Sequence, residues 1–153
     1  MGYLHIDNLY KDQRILAFRQ CYALEKIHGT STHIAWKDSK LRLSSGGEKH
    51  SRFAALFDLD ALAAKFMEHC GGRPVTIYGE ACGGKQQGMS ATYGDALRFY
   101  AFDVQSDNKW LDVPTAAVLV TSLGLSFGPH RLVKCTLDVI DAERDRPSEV
   151  AEL

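Results

Sequence analysis

Three short segments near the start of the chain, "QCYALE" (20–25), "STHIAWK" (31–37) and "KLRLSS" (40–45), alternate apolar and polar residues or concentrate β-forming ones, with "HGT" and "DS" as the breaks. Strands joined by turns this short read as consecutive members of an antiparallel meander. That pattern argues against an alternating parallel array, which needs a helical crossover between strands. "PVTIYGEA" (74–81) and "ALRFYAFDVQ" (96–105) extend the strand count with further β-branched and aromatic residues. "SSGGEKHSR" (44–52) and the Gly- and Gln-rich "CGGKQQGMSATYGD" (82–95) read as loops.

Helices are fewer. "DLDALAAKFMEHCGG" opens on a capping Asp58 and closes on paired glycines, and "PTAAVLVTSLG" starts at Pro114 and stops at Gly124. "RLVKC" reads as a short strand, and the charged tail "TLDVIDAERDRPSEVAEL" as partly helical. The expected class is α+β, with antiparallel sheets flanked by helices and no internal repeat or long linker. At 153 residues with 45% hydrophobic content, the chain makes one domain with a real core, not two.

Charge narrows function only slightly. The net charge is −1, yet residues 1–52 hold nine Lys or Arg against five Asp or Glu. That excess can face phosphates but falls short of a full nucleic-acid footprint. Cys21, Cys70, Cys82 and Cys135 form no C-x-x-C pair, so a zinc knuckle and a secreted disulfide frame are not suggested. Reduced, mostly buried thiols are expected. The longest apolar stretch, "AAVLVTSLGL", is too short to span a bilayer, and no leader precedes the fold, so the expectation is a soluble, cytoplasmic protein without a membrane partner.

"PVTIYGEACGGKQQG" nearly spells a phosphate-binding loop, since Gly79, Gly84 and Lys85 satisfy G-x-x-x-x-G-K. Gln86 stands where a hydroxyl should hold magnesium, and "QQGMSATYG" is a poor start for the helix such a loop requires. The phosphate-loop reading is therefore set aside. The same stretch raises a different point: Glu80 closes an otherwise apolar strand, where an unpaired carboxylate costs several kcal/mol. It is either an edge residue in water or a functional group, and the segment alone leaves both open.

Lys26 has the same two readings, a solvated strand end or a nitrogen nucleophile. Gly29, three residues on, allows close approach of the backbone to a ligand, and a lysine attacks through its free amine when its surroundings favour that form. His33 does not form a helical metal pair with His28 and reads as a strand surface residue.

Four stretches in order, "EKIHGTS" (25–31), "SRF" (51–53), "IYGEACGG" (77–84) and "FYAFDV" (99–104), resemble the ATP-dependent RNA ligases of the phage nick-sealing and RNA-editing type, within the covalent nucleotidyltransferases. The first is similar to the K-x-x-G nucleophile motif, with His28 where DNA ligases prefer Asp. The third and fourth resemble the ribose-contacting Glu strand and the aromatic-Asp strand.

The resemblance implies a nucleotidyltransferase fold with ATP and magnesium as cofactors and RNA ends, nicked or structured, as substrate. It implies that Lys26 becomes lysyl-AMP and that His28 assists phosphate chemistry. Glu25 and the backbone at Ile27 and Gly29 would border the nucleotide, Phe102 would stack on the base, Arg52 and Glu80 would hold the phosphate and ribose side, and Asp103 would support the site. No protein-built metal ligand is implied. As structural alternatives, Phe102 reads as core, Asp103 as a turn cap and Arg52 as solvated.

Two family elements, a strand of type E-G-x-V and a K-x-K pair, do not occur in the sequence. The expectation is a partial adenylylation domain over 1–153, incomplete at its C-terminal side. It would act as a truncated or split unit with a second chain supplying the missing motifs, or as a noncatalytic remnant that binds nucleotide, RNA or a partner.

Overall fold

A computed structural model describes residues 2–46, 50–84 and 89–151. The strands are β1 (Gln20–Leu24), β2 (Thr30–Lys37), β3 (Lys40–Ser45), β4 (Val75–Cys82), β5 (Arg98–Ser106), β6 (Lys109–Trp110) and β7 (His130–Lys134). The helices are α1 (His50–Ala54), α2 (Leu59–Cys70), α3 (Ser90–Tyr93), α4 (Val113–Ser122) and α5 (Leu137–Arg144). The α+β class with antiparallel sheets is as expected, and all named strand pairs are antiparallel.

The meander expectation is corrected at its first member. β2 and β3 form a hairpin, but β1 leaves them to pair with β7 in a separate two-stranded sheet. The reason lies in the connection Glu25–Gly29, which is not a tight turn. Its backbone is fastened at three places: the Glu25 amide to the Pro129 carbonyl at 2.9 Å, the His28 amide to the Tyr93 hydroxyl at 3.2 Å and the Gly29 amide to Glu80 Oε1 at 3.1 Å. Those partners pull β1 toward β7 and release β2 to pair with β4.

The larger sheet runs β3-β2-β4-β5-β6. Its core face carries Ile34, Trp36, Val75, Ile77, Ala81, Phe99, Ala101 and Val104, covered by Phe53, Phe66, Val120 and Leu123 from the helical side. α2 presents Leu62, Phe66 and Cys70 to that core, four residues apart, and Asp58 caps it by accepting from the Ala61 amide at 3.2 Å. Asp112 caps α4 through the Thr115 amide at 2.9 Å, with Pro114 in the first turn and Gly124 at φ +79° just beyond the end.

Two short helices occur where loops are expected, α1 at 50–54 and α3 at 90–93. α1 forms because Phe53 is fully buried under the sheet, a tertiary gain that local composition does not reveal. Lys85 and Gln86, the end of the apparent phosphate loop, lie outside the described residues. The nearest helix after them among the described residues is the four-residue α3.

Between β4 and β5 the register shifts at Tyr78/Gly79, so that Gly79 faces Ala101 and Tyr78 faces Asp103. Phe102 is the extra residue of this bulge. It and Asp103 both turn to the face away from the core, where both meet Tyr3. Gly79 fits the bulge because a Cβ there would lie 2.5 Å from the Phe99 ring and from the Tyr100 carbonyl oxygen. Just beyond, Ala101 also bonds the segment Ser126–Gly128, which leads into β7 and ties the two sheets together. Among the described residues no helix is long and apolar enough to cross a membrane.

Candidate active site

The loop Glu25–Gly29 leaves β1 at the junction of the two sheets, and its side chains alternate in fate. Ile27 is buried with Cys82, Tyr93 and Val150 and anchors the loop. Lys26 and His28, on either side of it, are exposed. Both line a pocket of about 480 Å³ together with Gly29, Glu80 and Met89. On their other side they border a pocket of about 600 Å³ shared with Glu25, Tyr93, His130 and Arg131.

Glu80 is half-buried on β4, on the face opposite the core, and its Oε1 accepts from the Gly29 amide at 3.1 Å. Burial holds its carboxyl above the usual carboxylate range, while the Gly29 N–H and the charge of Lys26 pull it back. Glu80 is therefore no simple edge residue in water. It is tied to the loop Glu25–Gly29 and opens into the same pocket as Lys26.

Gly29 has a structural reason of its own to be glycine. The residue sits against the backbone of β4, where a Cβ would run into the carbonyl oxygen of Ala81. Glycine is required by this close approach within the protein, and its amide serves Glu80.

Phe102 and Asp103 lie on the same face of the sheet as Glu80, beside Tyr78, but do not line either pocket at Lys26. Tyr3 covers them. Its ring meets Phe102 edge-on at 4.8 Å and lies 5.3 Å from Tyr78 and 5.5 Å from Trp110. Its hydroxyl donates to Asp103 Oδ2 at 2.6 Å, and the Val104 amide donates to Oδ1 at 2.9 Å. Burial raises the Asp103 carboxyl against those two donors, and burial followed by the bond to Asp103 raises the Tyr3 phenol strongly. Thus neither the core reading of Phe102 nor the turn-cap reading of Asp103 describes what they do. His33, expected at the surface, is half-buried against Tyr78 at 5.6 Å, and burial lowers its pKa. Arg52 is exposed on α1 and lines neither pocket.

The matching family model is that described as RNA ligase, and it covers residues 19–150. The chain belongs to the RNA ligase family. Solved RNA ligases share its fold. Against an archaeal ATP-dependent RNA ligase the TM-score is 0.67 at 23% identity, covering 94% of this chain and 40% of that one. Against a Naegleria gruberi RNA ligase solved with PPi it is 0.65 at 18% identity, covering 92% of this chain and 47% of that one. A mutant of the Naegleria gruberi RNA ligase, solved with AMP and Mn, gives 0.65 at 15% identity, covering 81% and 40%. The chain therefore spans less than half the length of these ligases. No curated protein matches it in sequence at a significant level.

Several contacts in this ligase-family site escape a reading of the sequence. Tyr3 on Asp103, Tyr93 on the His28 amide and Ser148 on Glu25 join residues 100, 65 and 123 positions apart. No local pattern marks them. The four cysteines are free, with Cys70, Cys82 and Cys135 buried and Cys21 partly so. Among the described residues no three His, Cys, Asp or Glu side chains converge to hold a metal ion, so the residues present do not build a cation site of their own.

Proposed function

We propose that this chain carries the nucleotide-attachment half of an ATP-dependent RNA ligase, with Lys26 as the nucleophile. The observation that carries the reading is the shared pocket: Lys26, His28 and Glu80 open into one space, and Glu80 is fixed to the nucleophile loop through the Gly29 amide. In the step proposed, the Lys26 amine, having lost its proton, attacks the α-phosphorus of ATP. The N–P bond forms as the bond to the bridging oxygen breaks, and pyrophosphate leaves with that electron pair. Lysyl-AMP then passes AMP to an RNA 5′-phosphate, and a 3′-hydroxyl displaces AMP to seal the ends.

Glu80 and Arg52 hold the ribose and phosphate side in this reading, His28 assists at the phosphates, and Glu25 with the Ile27 backbone borders the adenine edge. Phe102 and Asp103 contribute the stacking surface, once Tyr3 shares or yields it. Magnesium is the expected divalent ion, and among the described residues no cluster of His, Cys, Asp or Glu side chains is built to hold it.

The transition-state charge on the α-phosphate needs donors that Lys26 and His28 do not supply alone, and the sequence contains no K-x-K pair. We assign that role to polypeptide outside this sequence, either continuous with it or a second chain.

Incubation with α-labelled ATP and magnesium tests the reading, with the chain alone and mixed with a polypeptide bearing the E-G-x-V and K-x-K elements. The expected outcome is covalent label in the mixture that is lost in Lys26→Ala. ATP binding without label in either sample would instead identify a noncatalytic nucleotide-binding remnant.

A further inference from the structure

Glu25 is the last residue before Lys26, and both oxygens of its carboxylate are already engaged by the far end of the chain. Ser148 donates its hydroxyl to Oε1, and the Glu149 amide donates to Oε2 at 2.9 Å. The direction of the serine bond is fixed by its neighbours. Ser148 Oγ accepts from the Val150 amide at 3.1 Å and from the Ala151 amide at 2.9 Å. A hydroxyl has one proton and two lone pairs, so with both lone pairs taken the proton has a single destination, Glu25.

The turn that holds this serine is itself fastened on both flanks. Val150 is buried against Ile27, Cys82 and Tyr93, and its carbonyl accepts from Arg98 at 3.0 Å. The Glu149 carboxylate lies 3.8 Å from Arg131 and 3.6 Å from Arg146. The turn and the nucleophile loop thus share one anchor, Ile27 on Val150, and one polar clasp at Glu25.

We infer that Ser148 is a positioning residue for nucleobase choice, holding Glu25 as a fixed, acceptor-only group in the pocket of about 600 Å³ that adjoins the Lys26–Glu80 pocket across Lys26 and His28. The inference rests on the proposed reading of Glu25 as the base-edge contact. A carboxylate clasped by two donors on one side presents only lone pairs on the other. Those lone pairs favour a base whose facing edge carries an amino group and disfavour one that carries a carbonyl oxygen, because two acceptors brought together leave both unpaired. Freed of its clasp, Glu25 rotates away from an unsuitable base and the discrimination weakens.

The test compares reversible binding of ATP and inosine triphosphate, which bears an oxo group where adenine bears its amine, in a Lys26→Ala background. ATP is expected to bind about tenfold or more tightly than inosine triphosphate, the scale set by one mismatched hydrogen-bonding group. Adding Ser148→Ala is expected to shrink that ratio to about threefold or less, and Ser148→Thr, which keeps the hydroxyl, to preserve it. The ratio is read rather than the affinity, because general loosening of the turn weakens both nucleotides alike.

A Ser148→Ala protein that melts like its parent and keeps the full ratio overturns the proposal. If Glu25→Ala removes the ratio and Ser148→Ala does not, the base-edge reading of Glu25 survives and only the role of Ser148 falls. If neither substitution changes it, or if neither nucleotide binds, the reading of Glu25 falls as well.

Discussion

Glu80 stands between two demands: burial favours its neutral form, and Lys26 with the Gly29 amide favours its charge. Burial prevails, so its pKa is higher folded than unfolded. A group shifted in that direction contributes stability below its unfolded pKa and loses it as pH rises through the folded value. Glu80→Gln keeps an acceptor for Gly29 and removes the charge. Its melting temperature relative to the parent is therefore expected to rise between pH 4 and pH 7. A difference that stays flat with pH would mean that Glu80 ionises equally easily in both states. Gly29→Ala puts a methyl group into the Ala81 carbonyl oxygen on packed backbone, and is expected to cost about 2 kcal/mol or more in denaturant unfolding. Lys26 and Glu80 could be singled out in the sequence as charged groups at strand ends, but only the resemblance to the ligase motifs joined them in one site. Tyr3 and Ser148 could not, since a lone tyrosine and a lone serine acquire meaning only from partners more than 90 residues away.

Elements were readable where the signal is local. Both long helices begin at an aspartate that caps them, and both are followed by a glycine at positive φ, Gly71 and Gly124. Asp112→Ala is expected to lower stability by about 1 kcal/mol, as loss of a side-chain cap usually does, with the unfolding midpoint in urea as the measurement. The same substitution at Asp58 should behave alike, and the two should add because the caps share no hydrogen-bonding partner. Strand existence was equally plain, but strand pairing was not. β1 has the length and pattern to pair with β2, and leaves only because residues 25–29 bond to Pro129, Tyr93 and Glu80, none of them near in sequence. α1 shows the converse, a helix set in a polar loop and formed to bury Phe53.

At the scale of the whole molecule, stability is uneven. The five-stranded sheet rests on one large apolar cluster, whereas β1 and β7 form a two-stranded ladder with Tyr22 and Leu132 exposed as a cross-strand pair. Two strands alone are marginal, so amides of β1 and β7 are expected to exchange hydrogen at least about tenfold faster than those of β2 and β4. Equal protection would mean that the two sheets unfold as one unit. The loop Glu25–Gly29 hangs between the stiff sheet and the looser one, tied to each. On the larger sheet, the bulge at Phe102 is a local widening of what one face can show. Removing one residue between Phe99 and Asp103 would restore strict alternation, with Val104 still facing the core and Asp103 still facing outward, but only one of the two consecutive outward side chains would remain. The extra residue therefore lets a single strand present two neighbouring side chains to the same side, which a regular strand of any sequence cannot do.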